Sequence, residues 1–370
     1  MALPAPRLRA QIMKELLCIL RDPRSRIVLV VPPLMQLLVF SFAATLEVRN
    51  VDLALYDRDG GYWAQELGAR LAAASFVARM RVVHSPAELR GLLDRREAIA
   101  ALTIPERFSR DLTAGTPAVV ELIVDGRRAN AGQVAAGYVQ SIVNTLGAEI
   151  APPPSGPREL AATRHWFNPN LEYRWYIVPS LAGTLTTFLA LIITALSIAR
   201  ERELGTFDQL LVSPTTPVEI IIAKTVPALL IGTVMGMVMI LVGILIFGIP
   251  FTGSFLLLVA CLSLYILSVV GIGLAISTLC ATQQQAILGA FAAGVPMILL
   301  SGFATPVENM PAALQGVAQL IPLTHFLPIL QGSFLKSLPA GLILAHAWPI
   351  LAISAATLTL AGLCVRFRLR

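Results

Sequence analysis

Few residues in this 370-residue chain are of types that do covalent chemistry, and their spacing argues against most of it. A phosphate-cradling P-loop needs the pattern GxxxxGK[ST], in which glycine amides wrap the phosphates and a lysine reaches them. Lys14, Lys224 and Lys336 are the chain's only lysines, and none follows a glycine-rich loop. Cys18, Cys261, Cys280 and Cys364 lack CxxC spacing and fall in or beside apolar stretches, which suits small apolar fillers better than disulfides or metal ligands. His84, His165, His325 and His346 are too scattered for a metal cluster. No Ser/His/Asp arrangement suggests a membrane hydrolase. This reading assigns the chain no catalytic residue, no metal ligand and no cofactor site.

The segment with the most purposeful spacing is mechanical rather than catalytic. Residues 200–219 read Arg-Glu-Arg-Glu-Leu-Gly-Thr-Phe-Asp-Gln-Leu-Leu-Val-Ser-Pro-Thr-Thr-Pro-Val-Glu. Thr206 with Gln209 forms a T-x-x-Q capping box, and Asp208 suits the positive helix end. Ser213-Pro214 stops that helix, and Thr216-Pro217-Val218-Glu219 caps the next. Leu204, Phe207 and Leu211 share one face. The spacing predicts a rigid, charged, amphipathic element over 200–214, a handle that a soluble partner grips.

The elements that hold this handle are membrane helices. The chain is 56% hydrophobic and only 14% charged, with a mean hydropathy of +0.74, whereas soluble chains carry about 25% charged residues. Six apolar runs of spanning length follow: 27–46, 175–199, 217–248, 254–280, 285–303 and 341–365. Basic residues (Arg7, Arg9, Lys14, Arg21, Arg24 and Arg26; Arg200 and Arg202; Arg366, Arg368 and Arg370) flank one side, which predicts cytoplasmic termini. Leu8, Ile12, Leu16, Ile19 and Leu20 recur at helical spacing, so residues 1–26 form an interfacial helix ended by Asp22-Pro23. Residues 47–174 carry much of the charge and read as one extracytoplasmic domain and its linker. Candidate strands are Val51–Asp57, Met80–His84, Ile99–Ile104 and Val119–Asp125, alternating with helices in a β-α-β-α-β-α-β-α order. Ser85–Glu88 is a capping box, Asn130–Ile150 a long amphipathic helix, and Ala151–Pro157 a linker. The domain is expected to be α/β or α+β, with Asp57, Asp59, Asp125 and His84 as surface or turn residues. Residues 305–337 are polar and proline-rich and are expected to contain short re-entrant helices. The fold class is a polytopic α-helical membrane protein with six transmembrane helices and this inserted domain.

The net charge of +6 does not indicate nucleic acid, because the basic residues flank apolar spans and form no aromatic-interleaved patch. No Asp, Glu, Arg or His falls in the middle of a predicted span, and Lys224 lies near a span end. Ion-coupled carriers need such groups at the bilayer midplane, so that energy source is disfavoured. If the chain moves cargo, a partner must supply the work.

The run Arg200–Pro214 with Lys224 following resembles the coupling segment of ABC-2 type exporter permeases. Arg21-Asp22-Pro23-Arg24 with Pro32-Pro33-Leu34-Met35-Gln36 is similar to the start of their first span. Phe167–Glu172 with Trp175 through Pro179 is similar to the re-entry of the subgroup with a large extracytoplasmic domain. The resemblance covers essentially the whole chain. It implies a bacterial inner-membrane permease, working as a pair with a second copy or a paralogue and driven by ATP-binding cassette ATPase subunits that hold the ATP and Mg. It also implies a periplasmic membrane-fusion adaptor and export of amphipathic or hydrophobic, drug-like or lipid-like molecules. By that resemblance Arg200, Glu201 and Glu203 are polar contacts to the ATPase, Gly205 and Thr206 set the turn and cap, Phe207 and Leu211 dock, and Gln209 and Pro214 complete the coupling element. Thr184, Thr186, Thr187 and Thr194 either line a path between two permeases or pack helices, and packing is the expected role. The alternative reading is a membrane-anchored sensor or scaffold whose outer domain binds a ligand or envelope partner.

Overall fold

A computed structural model describes residues 5–43, 50–150, 167–168, 170, 172–207 and 216–368. The linker expected at 151–157 and the coupling residues Asp208, Gln209, Leu211 and Pro214 lie outside the described residues. The chain divides into two compact units, residues 1–44 with 165–370, and residues 45–164.

Helix α1 (Ala5–Arg21) and helix α2 (Pro23–Ala43) open the first unit, with Asp22 between them. Pro23 at the first position of α2 loses no hydrogen bond, because first-turn amides have no helical acceptor. Ile19 of α1 is packed against the unit's core while Leu20 is 46% exposed.

The second unit holds a four-stranded sheet of β1 (Val51–Asp57), β2 (Val77–Val82), β3 (Ala100–Ile104) and β4 (Glu121–Val124), ordered β2-β1-β3-β4. β1 runs parallel to β2 and β3, and β4 is antiparallel to β3. Helices α3 (Tyr62–Ala73), α4 (Pro86–Asp94), α5 (Phe108–Thr113) and α6 (Ala129–Ile150) fill the intervals. The central strands β1 and β3 are buried and read cleanly in the sequence. β2 begins three residues before its expected start at Met80, because it is an edge strand aligned by its pairing of Val51 with Val77. Leu53, Leu55 and Leu102 pack with Leu67, Leu71 and Phe108 in one cluster, while Ala54 and Ala101 pack with Leu89 and Leu92 in another. Helices therefore cover both faces of the sheet.

Two loops of this unit cap each other's helices. Asp59 Oδ2 accepts from the amides of Gly61 and Ser109, both at 3.1 Å. Ser109 Oγ in turn accepts from the amides of Trp63 (3.0 Å) and Ala64 (3.2 Å) in the first turn of α3. Burial works against the Asp59 carboxylate, but the hydrogen bonds from Ser109 and Gly61 outweigh it and hold its pKa below the ordinary value. At α4, Ser85 caps Glu88 as expected, but the Glu88 carboxylate accepts from the amide of His84 at 3.1 Å, one residue before the cap. Asp125 is a turn residue after β4, the turn alternative of the expectation, with its backbone carbonyl accepting from the Arg128 amide at 3.0 Å and its carboxylate, 7% exposed, paired with Arg127 at 2.8 Å.

The first unit resumes with α7 (Tyr173–Glu203), α8 (Pro217–Leu245), α9 (Phe255–Leu279), α10 (Gln283–Leu300), α11 (Ala312–Ala318), α12 (Pro322–Leu335) and α13 (Ala340–Arg368). Among the described residues six helices are long and apolar enough to cross a membrane: α2, α7, α8, α9, α10 and α13. α11 and α12 meet at 75°, the bent pair expected within 305–337. α7 is the central post: 72% of its apolar window is buried inside the unit, against 11% for α2 and 17% for α10. The threonines of α7 therefore face their own chain. Thr184, Thr186, Thr187 and Thr194 are buried and donate to helix carbonyls one turn back. Thr187 also bonds the hydroxyl of Tyr265, whose fully buried ring stacks on Phe326 at 4.3 Å. Gly232 and Gly236 of α8 admit Ile266 and Leu262 so closely that a β-carbon would meet them at 3.0 and 3.1 Å, the close approach that small residues spaced by four allow in membrane helices.

Ser109→Ala removes the acceptor of two first-turn amides and is expected to destabilise the α3 corner by about 1–2 kcal/mol. Amide hydrogen exchange of Trp63 and Ala64 in the full chain would accelerate about tenfold. Because the folded pKa of Asp59 is depressed, its stabilisation is present above its unfolded pKa of about 4 and is lost as the pH falls through the lower folded value. Exchange that rises already at pH 6 would contradict this.

Candidate functional site

The charges of Arg200–Glu203 are not a separate handle. They form the last turn of α7, because the backbone ladder continues without a breaker until Gly205. Gly205 then takes φ +69°, the left-handed conformation in which glycine has no side-chain penalty. Its amide donates to the carbonyl of Arg202 at 3.0 Å, and the amide of Thr206 donates to that of Glu201 at 2.9 Å. This is a Schellman closure. The Thr206 hydroxyl also donates to the Glu201 carbonyl at 3.2 Å, so its described bonds close α7, whereas capping of a following helix was expected. Ten residues later Thr216 and Glu219 form the full reciprocal capping box that starts α8.

Side chains of that last turn hold the neighbouring helices. Glu201 is 8% exposed, and its carboxylate sits between two lysines, Lys14 Nζ at 2.9 Å from Oε1 and Lys224 Nζ at 2.9 Å from Oε2. Glu15 lies 3.3 Å from Lys224 and 3.5 Å from Lys14. Two positive and two negative groups thus join α1, α7 and α8 with no formal excess charge. Lys224, its side chain 2% exposed, also donates to the Ser197 carbonyl at 3.4 Å. Burial lowers the pKa of Lys14, but the hydrogen bond and charge of Glu201 outweigh it, and the net shift is upward. Lys14 therefore stays charged across the physiological range.

The other residues of the turn reach α9 and α10. Arg202 donates to the carbonyls of Thr278 (2.7 Å) and Cys280 (3.0 Å) at the C-terminus of α9, where unpaired carbonyls and the helix dipole favour a cation. Its guanidinium lies 4.9 Å from the centre of the Phe207 ring. Glu203 accepts from the first amide of α10, that of Gln283, at 2.7 Å, the favourable sign for a helix start. Ser277 of α9 accepts from the amides of Ile198 and Ala199. One helical turn therefore ties together the middle of α1, the first turns of α8, the C-terminus of α9 and the N-terminus of α10.

Of the residues singled out from the sequence, Arg200, Glu203, Gly205 and Thr206 are exposed at this end, Glu201 and Phe207 are turned into the chain, and Gln209, Leu211 and Pro214 lie outside the described residues. Leu204, placed on the face of Phe207 in the sequence, is 63% exposed while Phe207 is 8% exposed. Sequence reasoning missed Lys14, Glu15 and Lys224 as partners of Glu201. A signal was present: a lysine inside an apolar 29-residue helix requires a counter-charge.

The other end of α7 has its own lock. Asn168 accepts from the amide of Glu172 and donates to its carbonyl, both at 2.9 Å, which fixes the approach to the helix start.

Lys224→Met removes one lysine from the Glu201 carboxylate and is expected to cost about 3 kcal/mol, because breaking a buried pair leaves uncompensated charge. Glu201→Gln with Lys224→Met should recover part of that loss. Thermal unfolding in detergent micelles checks it, and a double variant less stable than the sum of the two singles would contradict the pairing.

The family model for ABC-2 family transporter proteins matches residues 24–363. The chain is 44% identical over 353 residues to the probable multidrug ABC transporter permease YbhR of Escherichia coli (strain K12), covering 95% of this chain and 96% of that one. It is 30% identical to the probable multidrug ABC transporter permease YbhS of the same strain, over 89% of this chain and 88% of that one. It is 31% identical to the inner membrane transport permease YhhJ of that strain, over 75% of this chain and 74% of that one. With six described helices long and apolar enough to span a membrane, a bent helix pair and a charge-locked helix end, this chain belongs to the ABC-2 transporter family as a multi-span membrane permease.

Proposed function

We propose that this permease is the membrane half of an ATP-driven exporter, with a separate ATP-binding cassette subunit docking at the α7–α8 end. The observation that carries the proposal is that one turn, Arg200–Glu203, is bonded to α1, α8, α9 and α10 at once. A partner that pushes on the segment after Gly205 therefore moves several helices together rather than one loop. Arg200, Glu203 and Leu204 are exposed beside that segment and supply the charged and apolar contacts. Glu201 acts on the inside, coupling the turn to α1 and α8. Phe207, buried under Arg202, transmits rather than docks.

The charged end faces the cytoplasm in this reading, with both termini on that side of a bacterial inner membrane, as the basic flanks favour. The cargo is amphipathic or hydrophobic, drug-like or lipid-like, in keeping with the multidrug designation of YbhR and YbhS. The unit of residues 45–164 is extracytoplasmic and docks a membrane-fusion adaptor. A second permease, an identical copy or a paralogue, covers spans such as α2 and α10 that are little buried within one chain.

Leu204→Asp is the informative variant, because the residue is exposed and its loss leaves the fold intact. It is expected to abolish co-purification with the ATPase subunit and cargo-stimulated ATP turnover, while the thermal unfolding of the permease stays unchanged. Normal turnover in Leu204→Asp with Arg200→Glu would overturn the docking site. Deletion of residues 55–150 with the flanks joined should leave ATPase association intact and abolish export, and unchanged export would refute the adaptor role.

A further inference from the structure

Two parts of the first unit gather polar side chains, and they differ in what is left unbonded. In the cavity of ≈ 700 Å³ lined by Tyr176, Gln315, His325 and His346, among others, the Tyr176, Gln315 and His325 side chains are held by backbone carbonyls. Helix α1 is the opposite case, because most of its charge has no partner in the chain.

α1 carries Arg7, Arg9, Lys14 and Arg21 against a single acid, Glu15. Glu15 is turned to Lys224, and Lys14 is held by Glu201. That cluster of two cations and two anions is neutral, so it absorbs none of the arginines. Arg7, Arg9 and Arg21 are exposed and make no ion pair among the described residues. Their places around the helix are ordered. At 3.6 residues per turn, Met13 and Leu20 fall within about 20° of each other, and Arg9 lies about 20° beyond Leu20. Arg21 and Arg7 lie about 80° and 120° to the other side of Met13. Met13 and Leu20 are both exposed. Glu15 points about 160° away from Met13, and Ile19, which packs on the unit's core, about 120° away. α1 therefore has two faces: one bonded to α7 and α8, and one that is an apolar ridge between free arginines.

The level of the helix is fixed from two sides. Lys14 bonds the last turn of α7, where that spanning helix ends. Only Asp22 separates Arg21 from α2, whose apolar run begins at Arg26. α1 thus crosses the bundle where the spans end, at the depth of lipid headgroups. Apolar side chains at that depth enter the acyl boundary, and long cationic side chains beside them reach up to the phosphates. The planar fork of arginine suits a phosphate. The Met13–Leu20 ridge and the direct junction with α2 favour a lipid surface over an acidic protein.

We propose that the exposed face of α1 is a binding surface for anionic phospholipids, whose headgroup phosphates pair with Arg7, Arg9 and Arg21. Lipid on one face and Glu201 on the other hold α1 as a clamp. The lipid composition then sets how firmly the Lys14–Glu201–Lys224 arrangement is closed.

The test is amide hydrogen exchange of the full chain in nanodiscs of phosphatidylcholine, alone or with about 30% phosphatidylglycerol, which makes the surface negative. The amides of α1 and of Arg200–Glu203 are expected to exchange about tenfold more slowly in the anionic discs. About 1 M salt should remove the difference. Arg7→Gln with Arg9→Gln and Arg21→Gln should lose it while exchanging like the parent in phosphatidylcholine, and the three Arg→Lys replacements should keep most of it. Equal exchange of the parent in the two discs, or a difference that persists in the glutamine variant, would overturn the proposal. A glutamine variant whose α1 is unprotected already in phosphatidylcholine would assign the arginines to the fold itself and overturn it too. Inorganic phosphate added to phosphatidylcholine discs is expected to change nothing; phosphate that reproduces the protection would replace the lipid surface by a free anion. No ATPase subunit is present, so these outcomes are independent of docking at Leu204.

Discussion

The Glu201 carboxylate, shared between Lys14 and Lys224, is the interaction on which the charged end of this permease depends. Lys224, its side chain 2% exposed, is a charge at the margin of an apolar bundle, where an unpaired ion is costly, whereas Lys14 is half-exposed. Each also comes from a different helix. The carboxylate can hold both at 2.9 Å only if the middle of α1, the last turn of α7 and the first turns of α8 lie at the same level. Glu15 makes the arrangement neutral, and the Schellman closure at Gly205 stops α7 in the register that presents Glu201 inward and Arg202 and Glu203 to the neighbouring helices.

This arrangement links packing to transport. Apolar contacts between membrane helices discriminate weakly between registers, because lipid tails compete with side chains on equal terms. Charge pairs and helix-end bonds supply the register. Arg202 on the carbonyls of α9 and Glu203 on the first amide of α10 use the two opposite ends of helix dipoles, and each sits at the end that favours its sign. α7, buried along most of its apolar length, connects this end to the polar cavity near Tyr176.

The polar cavity obeys the same rule of satisfaction by different means. Where the charged end satisfies ions with ions, the cavity lined by Tyr176, Gln315 and His325 satisfies these side chains with backbone carbonyls.

The sequence by itself determined the membrane class, the six spans and the β-α alternation of the inserted unit, because these follow from run length and periodicity, which are local properties. Caps were legible for the same reason: Ser85, Gly205 and the Thr216–Glu219 box act within a few residues of themselves. The run Arg200–Pro214 was recognised by type and spacing, but the work of its members was not. Glu201 reads in the sequence as one of four alternating surface charges, and only the fold, by bringing Lys14 and Lys224 to it from 187 residues before and 23 after, decides that it points inward. The sequence reads the histidines as too scattered for a metal cluster, and the placement of His325 with His346 on the wall of one cavity is made only by the tertiary structure. Local order is encoded in neighbours along the chain, whereas the partners of a buried polar group are chosen by which helices meet, and that is a property of the packed bundle alone.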